Sequence, residues 1–229
     1  PVWLNRHTNL ISNGGTFNGG TKADYNATIY PGGKNATGNL TTTTLALGFG
    51  SRIVFDANAD NTDKINATKL SIEEKDWKYG PEYSTPVFEI VDNGLVPGNY
   101  ILATVSELEG NINDIKVEGI KGKKFTLTYE EGNIVLTIIK LRDATSIVWN
   151  GGTDGVWDFA ESENFAINGA NSSFVTGDDV TFNDQANVTT VNVTEEVYPG
   201  SVVFNNSKNY TLSGNGNIVG STMLTKKGS

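Results

Sequence analysis

"NVTTVNVTEEVYPGSVVFNNSKNYTLSGNGNIVGSTMLTKKGS", residues Asn187 to Ser229, is the stretch on which the reading of this chain turns. Apolar and polar residues alternate in the runs "TTVNVT", "GSVVFN" and "NYTLSG", each roughly four to six residues long, the period-two mark of half-buried strands. Ile218-Val219 opens another run, Gly220 interrupts it, and Met223-Leu224 resumes it. The same texture fills the rest of the chain. "FTLTYEEGNIVLTII" sets Phe125, Leu127 and Tyr129 on one face, answered by Ile134, Leu136 and Ile138 after a Glu-Glu-Gly-Asn turn, and predicts a hairpin. Asn-Gly pairs at Asn13, Asn18, Asn93, Asn150, Asn168 and Asn215 supply the positive φ of tight turns. No helical period persists. Ser71 and Glu74 in "SIEEKDW" have capping-box spacing and predict one helical turn at most. Short, regularly spaced strands fit either a pair of β-sandwiches divided near residue 145 or a solenoid that stacks one short coil on the next.

Composition narrows the function classes. The chain has 229 residues, with 17 Lys and Arg against 26 Asp and Glu and a net charge of −9. Nucleic acid and anionic membrane select basic surfaces, so neither is expected as a partner. Nothing approaches the roughly 18 consecutive apolar residues of a membrane span, so no membrane insertion by this segment is expected. "PVWLNRHTNL" has no charged-then-apolar signal pattern. Cysteine is absent, which rules out a disulfide framework and a thiolate metal site. Asn, Gly and Thr are abundant, as strands and turns require.

The second half carries a more specific pattern. It reads Trp149-Asn150-Gly151, then Gly155-Val156-Trp157, then Asn164-Phe165, then Phe174, Gly177, Asp178, Val180 and Phe182, followed by "GSVVFNN", "YTLSGNG" and "LTKKGS". This set resembles the modules of bacterial autotransporter-associated β-strand repeat proteins. "ATIYPGGKNATGNLTTTTLALGFGSRIVFD" and "GLVPGNYILATVSELEGNINDIKVEGI" are similar to other coils of that family, more loosely. The stretch Trp77 to Pro86 does not align to it.

The resemblance implies an all-β fold: a right-handed parallel β-helix or solenoid segment with short hairpin or loop insertions. Residues 1–145 would form a first module with an insertion at 71–86, and 146–229 a second that stops mid-coil. At about 20 to 25 residues per coil, roughly nine to eleven coils are expected. It further implies a non-enzymatic, adhesive segment of a larger secreted or surface-attached bacterial protein, extracellular or on the cell surface. Its partners would be further repeats of its own chain and surface glycans or proteins of host or neighbouring cells. Because "LTKKGS" matches the start of a family strand, another coil is expected to cover the last one.

Residues able to do chemistry are few. His7 is the one histidine, in "NRHTN" and far from any nucleophile motif, so a surface position is expected. Parallel β-helices also host polysaccharide-cleaving enzymes, and an accessory segment of a pectinase-like enzyme is the alternative reading. Asn61-Thr62-Asp63 and Asp178-Asp179 echo hydrolase motifs, but the histidine and basic motifs that accompany them are missing. Among Arg6, Arg52 and Arg142, none is placed by sequence beside an acidic cluster. Asp56, Asn58 and Asp60 have the one-three-five spacing of a calcium loop, but its later positions are Asn61 and Ala67, so a structural turn is favoured. No cofactor motif occurs. Trp149 and Trp157 are expected to pack the interior, and Asp178 to tie a turn. The strongest binding candidates are Trp77, Tyr79, Glu82 and Tyr83, aromatic rings with a carboxylate in the insertion, suited to stacking on sugars.

Overall fold

Strand Asn39–Leu47 shows how these residues make their structure. Leu40, Thr42, Leu45 and Leu47 turn inward and are buried, whereas Asn39, Thr43 and Thr44 are exposed. The two consecutive outward threonines shift the alternation by one position. β-branched and leucine side chains stand on either face of the pleat, and the face they bury decides the register.

The computed structural model describes residues 2–73, 85–152 and 154–228. It is all-β, with mostly parallel strands. Among the described residues, the helical content is a 3-10 turn at Ile112–Asp114, and no helix is long and apolar enough to cross a membrane. Ser71 lies in strand Lys64–Ile72 and donates its hydroxyl to Glu109 at 2.8 Å, so it is a strand residue and not a helix cap. From Glu74 onward, "SIEEKDW" lies outside the described residues.

The chain divides into two compact units. The first is Pro1–Ile120 with Phe125–Ile139, and the second is Lys121–Lys124 with Lys140–Ser229.

In the first unit the chain alternates between two sheets. Thr21–Ala23, Asn39–Leu47, Lys64–Ile72 and Gly98–Glu109 lie side by side in one; Asn9–Ile11, Thr28–Tyr30, Arg52–Ala57, Val87–Asp92 and Lys116–Glu118 lie side by side in the other. These neighbours pair in parallel, because each pass of the chain visits the second sheet before returning to the first. The registers align inward residues into columns. Ala23 pairs with Leu47 and Leu47 with Ile72, while Leu10, Ile29, Ile53, Phe88 and Val117 follow one another in the second sheet. Ala23, Leu47, Ile29, Ile53 and Phe88 are all buried. The expected hairpin is present: Lys124–Glu130 and Asn133–Ile139 flank a two-residue turn, Glu131 and Gly132, with φ of 48° and 76°. Its second strand runs antiparallel to Gly98–Glu109, and Ile134, Leu136 and Ile138 are buried in the core.

In the second unit, parallel strands fall into three sheets. Ser146–Trp149, Asp179–Asn183, Ser201–Asn205 and Met223–Lys227 form one ladder. Val156–Trp157, Thr190–Val193 and Thr211–Ser213 form the second, and Glu196–Val197 with Asn217–Ile218 the third. A small hairpin, Phe165–Ile167 and Ala170–Ser172, adds antiparallel strands to the first ladder. A pair of sandwiches would be built from antiparallel sheets, and the parallel registers of both units depart from that expectation.

Candidate functional site

A cleft of about 220 Å³ opens on the outer face of the five-stranded sheet of the first unit. Strand Arg52–Ala57 contributes Val54 and Asp56, and its neighbour Val87–Asp92 contributes Glu89 and Val91. Alternation puts these on one face, while Ile53, Phe55, Phe88 and Ile90 point into the core. The remaining wall is the turn after strand Thr28–Tyr30, which brings Tyr30, Lys34 and Asn35 to the opening. The Lys34 ammonium sits 5.2 Å from the centre of the Tyr30 ring, and no acidic partner joins it among the described residues.

Two carboxylates hold that wall. Asp56, nearly buried, accepts from the Asn35 backbone N–H at 3.1 Å and from Asn93 Nδ2 at 3.4 Å. Asn35 has φ of 62°, a left-handed turn conformation that asparagine tolerates. Asp63 is fully buried behind it and accepts from the backbone N–H of Gly38 at 2.7 Å and of Asp56 at 3.0 Å. Burial pushes the Asp63 carboxyl up to about 6 from 3.8, against those backbone bonds, and the Asp56 charge adds to the rise. The folded chain therefore holds a proton that the unfolded chain releases, so stability from this group grows as pH falls from about 6 towards 3.8. Urea midpoints measured across that window should rise more for the wild type than for Asp63→Asn. Parallel curves for the two proteins would contradict the assignment.

Beside the cleft, Arg52 Nη1 donates to Glu89 at 2.7 Å and to Glu118 at 3.0 Å. Burial lowers the Arg52 pKa, but its bonds to Glu118 and Glu89 outweigh that and the net direction is up. Hydrogen bonds from Lys116 and Arg52 hold Glu118 below its usual value. Arg52 thus sits between two carboxylates, a placement that the sequence by itself does not give. Glu118 follows Glu89 in register, and that neighbourhood arises from pairing between residues distant in sequence.

The residues singled out by sequence fare differently. Trp77, Tyr79, Glu82 and Tyr83 lie outside the described residues. Asp56 is engaged as above, Asn58 Oδ1 accepts from the backbone N–H groups of Asp60 and Asn61 at 2.9 Å each, and Asp60 is exposed. These three serve a wall and a turn, and no cluster of three potential metal-binding acids or imidazoles occurs among the described residues. His7 is exposed, with φ of 63° in a turn whose N–H bonds to Tyr25 O. The hydrolase-like Asp63 and Asp178 both spend their carboxylates on internal hydrogen bonds. Tyr30, Lys34, Asn35 and Glu89 were not singled out by sequence. The signal available was the outward alternation of "RIVFD" and "VFEIVD", and pairing these two runs needs the register.

In the second unit the motif residues build a core. Trp149 and Trp157 are fully buried with Phe165, Phe174 and Phe182, the rings meeting mostly edge-on at 5.1 to 5.7 Å. The glycines between the tryptophans are required by geometry. Gly151 (φ 80°) and Gly155 (φ 68°) are left-handed, and a Cβ would come 2.6 Å from Val188 Cβ and 2.8 Å from Thr190 O respectively. Asp178 is fully buried and accepts from Arg142 through both oxygens, at 2.7 and 2.6 Å, and from the backbone N–H groups of Thr145 and Val175.

Comparison with protein-family models, with curated proteins and with solved structures finds no match to this chain.

Proposed function

We propose that the chain is a non-enzymatic segment of a right-handed parallel β-helix, part of a larger secreted or surface-attached bacterial repeat protein of the autotransporter-associated kind, serving as an adhesive scaffold. The observation that carries this reading is the fate of the inward columns in the second unit. Val191, Val197 and Val202 are at most 1 % exposed, whereas their successors in register, Leu212, Ile218 and Leu224, are 37 %, 38 % and 70 % exposed. The covered side chains owe their burial to the next pass lying over them, and the uncovered ones offer the same face to another coil. A right hand is what parallel crossovers take in nearly every known case. Successive register partners such as Thr21, Leu45 and Leu70, or Asp179, Ser201 and Met223, are roughly 20 to 25 residues apart, which matches a coil of a repeat stack.

The adhesive role rests on the polar outer face with its cleft, and on the resemblance of the Trp-x-Gly, Gly-x-Trp and Phe-x-x-Gly-Asp-x-Val-x-Phe residues to the repeat family. The full chain should co-sediment with one or more insoluble polysaccharides while releasing neither reducing ends nor unsaturated products. Product release that grows with time would overturn the non-enzymatic part, and failure to co-sediment with any polysaccharide or with cell envelopes would overturn the adhesive part.

A further inference from the structure

We infer that the cleft beside Tyr30 is a subsite for one neutral pyranose unit of a glycan, held by its hydroxyls between Lys34 and Glu89. The inference deepens the adhesive reading and rests on it. A volume of about 220 Å³ suits a single sugar ring, being below the roughly 300 Å³ at which drug-sized pockets begin. Its lining divides as a sugar does. Val91 and the Tyr30 ring, one face of which Lys34 overlies, offer apolar surface for the C–H face of a pyranose. Lys34 can only donate and an ionised Glu89 can only accept, whereas a sugar hydroxyl does both. One hydroxyl can therefore donate to Glu89 while a neighbour accepts from Lys34.

Glu89 and the turn at Asn35 are held before any ligand arrives. Arg52 holds Glu89 at 2.7 Å, and Asp56 ties the backbone of Asn35 to the strand beneath it. What binding has to order is chiefly the exposed Lys34 side chain. Charge chooses among sugars. Two carboxylates line the cleft against one lysine, and the chain carries −9, so uronates and sulfated sugars are repelled where a neutral hexose is not.

The test is a titration of the isotope-labelled full chain, followed by amide NMR, with the methyl glycosides of glucose, galactose and mannose, and with galacturonate as the anionic control. At least one neutral glycoside should bind with a Kd on the order of millimolar, moving amides near residues 30–35, 54–56 and 89–91. Tyr30→Ala and Lys34→Ala should each weaken that binding about tenfold; Lys34 is exposed, so its variant keeps the fold, and melting curves check both. No shift with any neutral glycoside, a preference for galacturonate, or a Kd unmoved by both substitutions would overturn the subsite. Co-sedimentation of the wild type with polysaccharide in that event would leave the adhesive reading standing.

Discussion

Asp178→Ala should lower the unfolding free energy by about 3–5 kcal/mol, the usual cost of removing one partner from a buried ion pair. The size follows from the number of donors that converge on this carboxylate. Arg142 contributes two, and the backbone N–H groups of Thr145 and Val175 two more, all within 2.9 Å of an oxygen. Asp178 is fully buried, so the backbone N–H groups it leaves stranded each carry a desolvation cost, and Arg142, only one-quarter exposed, loses its partner. Arg142 also donates to Ser173 O at 2.8 Å, so the pair fastens the segment Lys140–Thr145 to the turn before strand Asp179–Asn183. Asp178→Asn is also expected to be costly. Each oxygen accepts from two donors, and whichever way the amide turns, its NH₂ meets two of them. Urea denaturation followed by tryptophan fluorescence measures both variants. A loss below about 1 kcal/mol for the alanine variant, the range of exposed pairs, would show that the cluster is not closed to solvent.

Trp149→Ala should cost about 3–5 kcal/mol, by loss of burial and by the cavity left behind. The indole is fully buried, lies 5.1 Å from Phe165 and 5.7 Å from Phe182, and donates Nε1–H to Val188 O at 2.7 Å. Trp149→Phe separates the contributions. It keeps most of the packing but leaves Val188 O without that donor, for an expected loss of about 1–3 kcal/mol. Trp157 is equally buried, but its indole nitrogen has no partner among the described residues. Trp157→Phe should therefore cost less than Trp149→Phe. The reverse order of midpoints would show that shape, and not the hydrogen bond, distinguishes the two rings.

Much of the architecture could be read before any coordinates. The hairpin at Phe125–Ile139 was legible because alternation and a Glu-Gly turn are local signals. Burial of Trp149 and Trp157 was expected from the resemblance of their motif to the repeat family, and the turn-tying carboxylate at Asp178 was legible because it follows Gly177 directly before a strand. The cleft was not. Tyr30, Val54 and Glu89 belong to three different passes of the chain, and no local rule says which residue of one run will lie beside which residue of another. The same holds for Arg52, whose two acidic partners lie 37 and 66 residues downstream.

Alternation and turn chemistry were settled by sequence alone, since each depends on neighbours a few bonds apart: many short strands and tight left-handed turns. Parallel pairing, which the resemblance implied but the residues by themselves left open, was decided in three dimensions, as were the inward columns and the meeting of Lys34, Asp56 and Glu89 at one opening. Register is set by how whole passes bury apolar faces against one another, and that free energy is not a property of any single run.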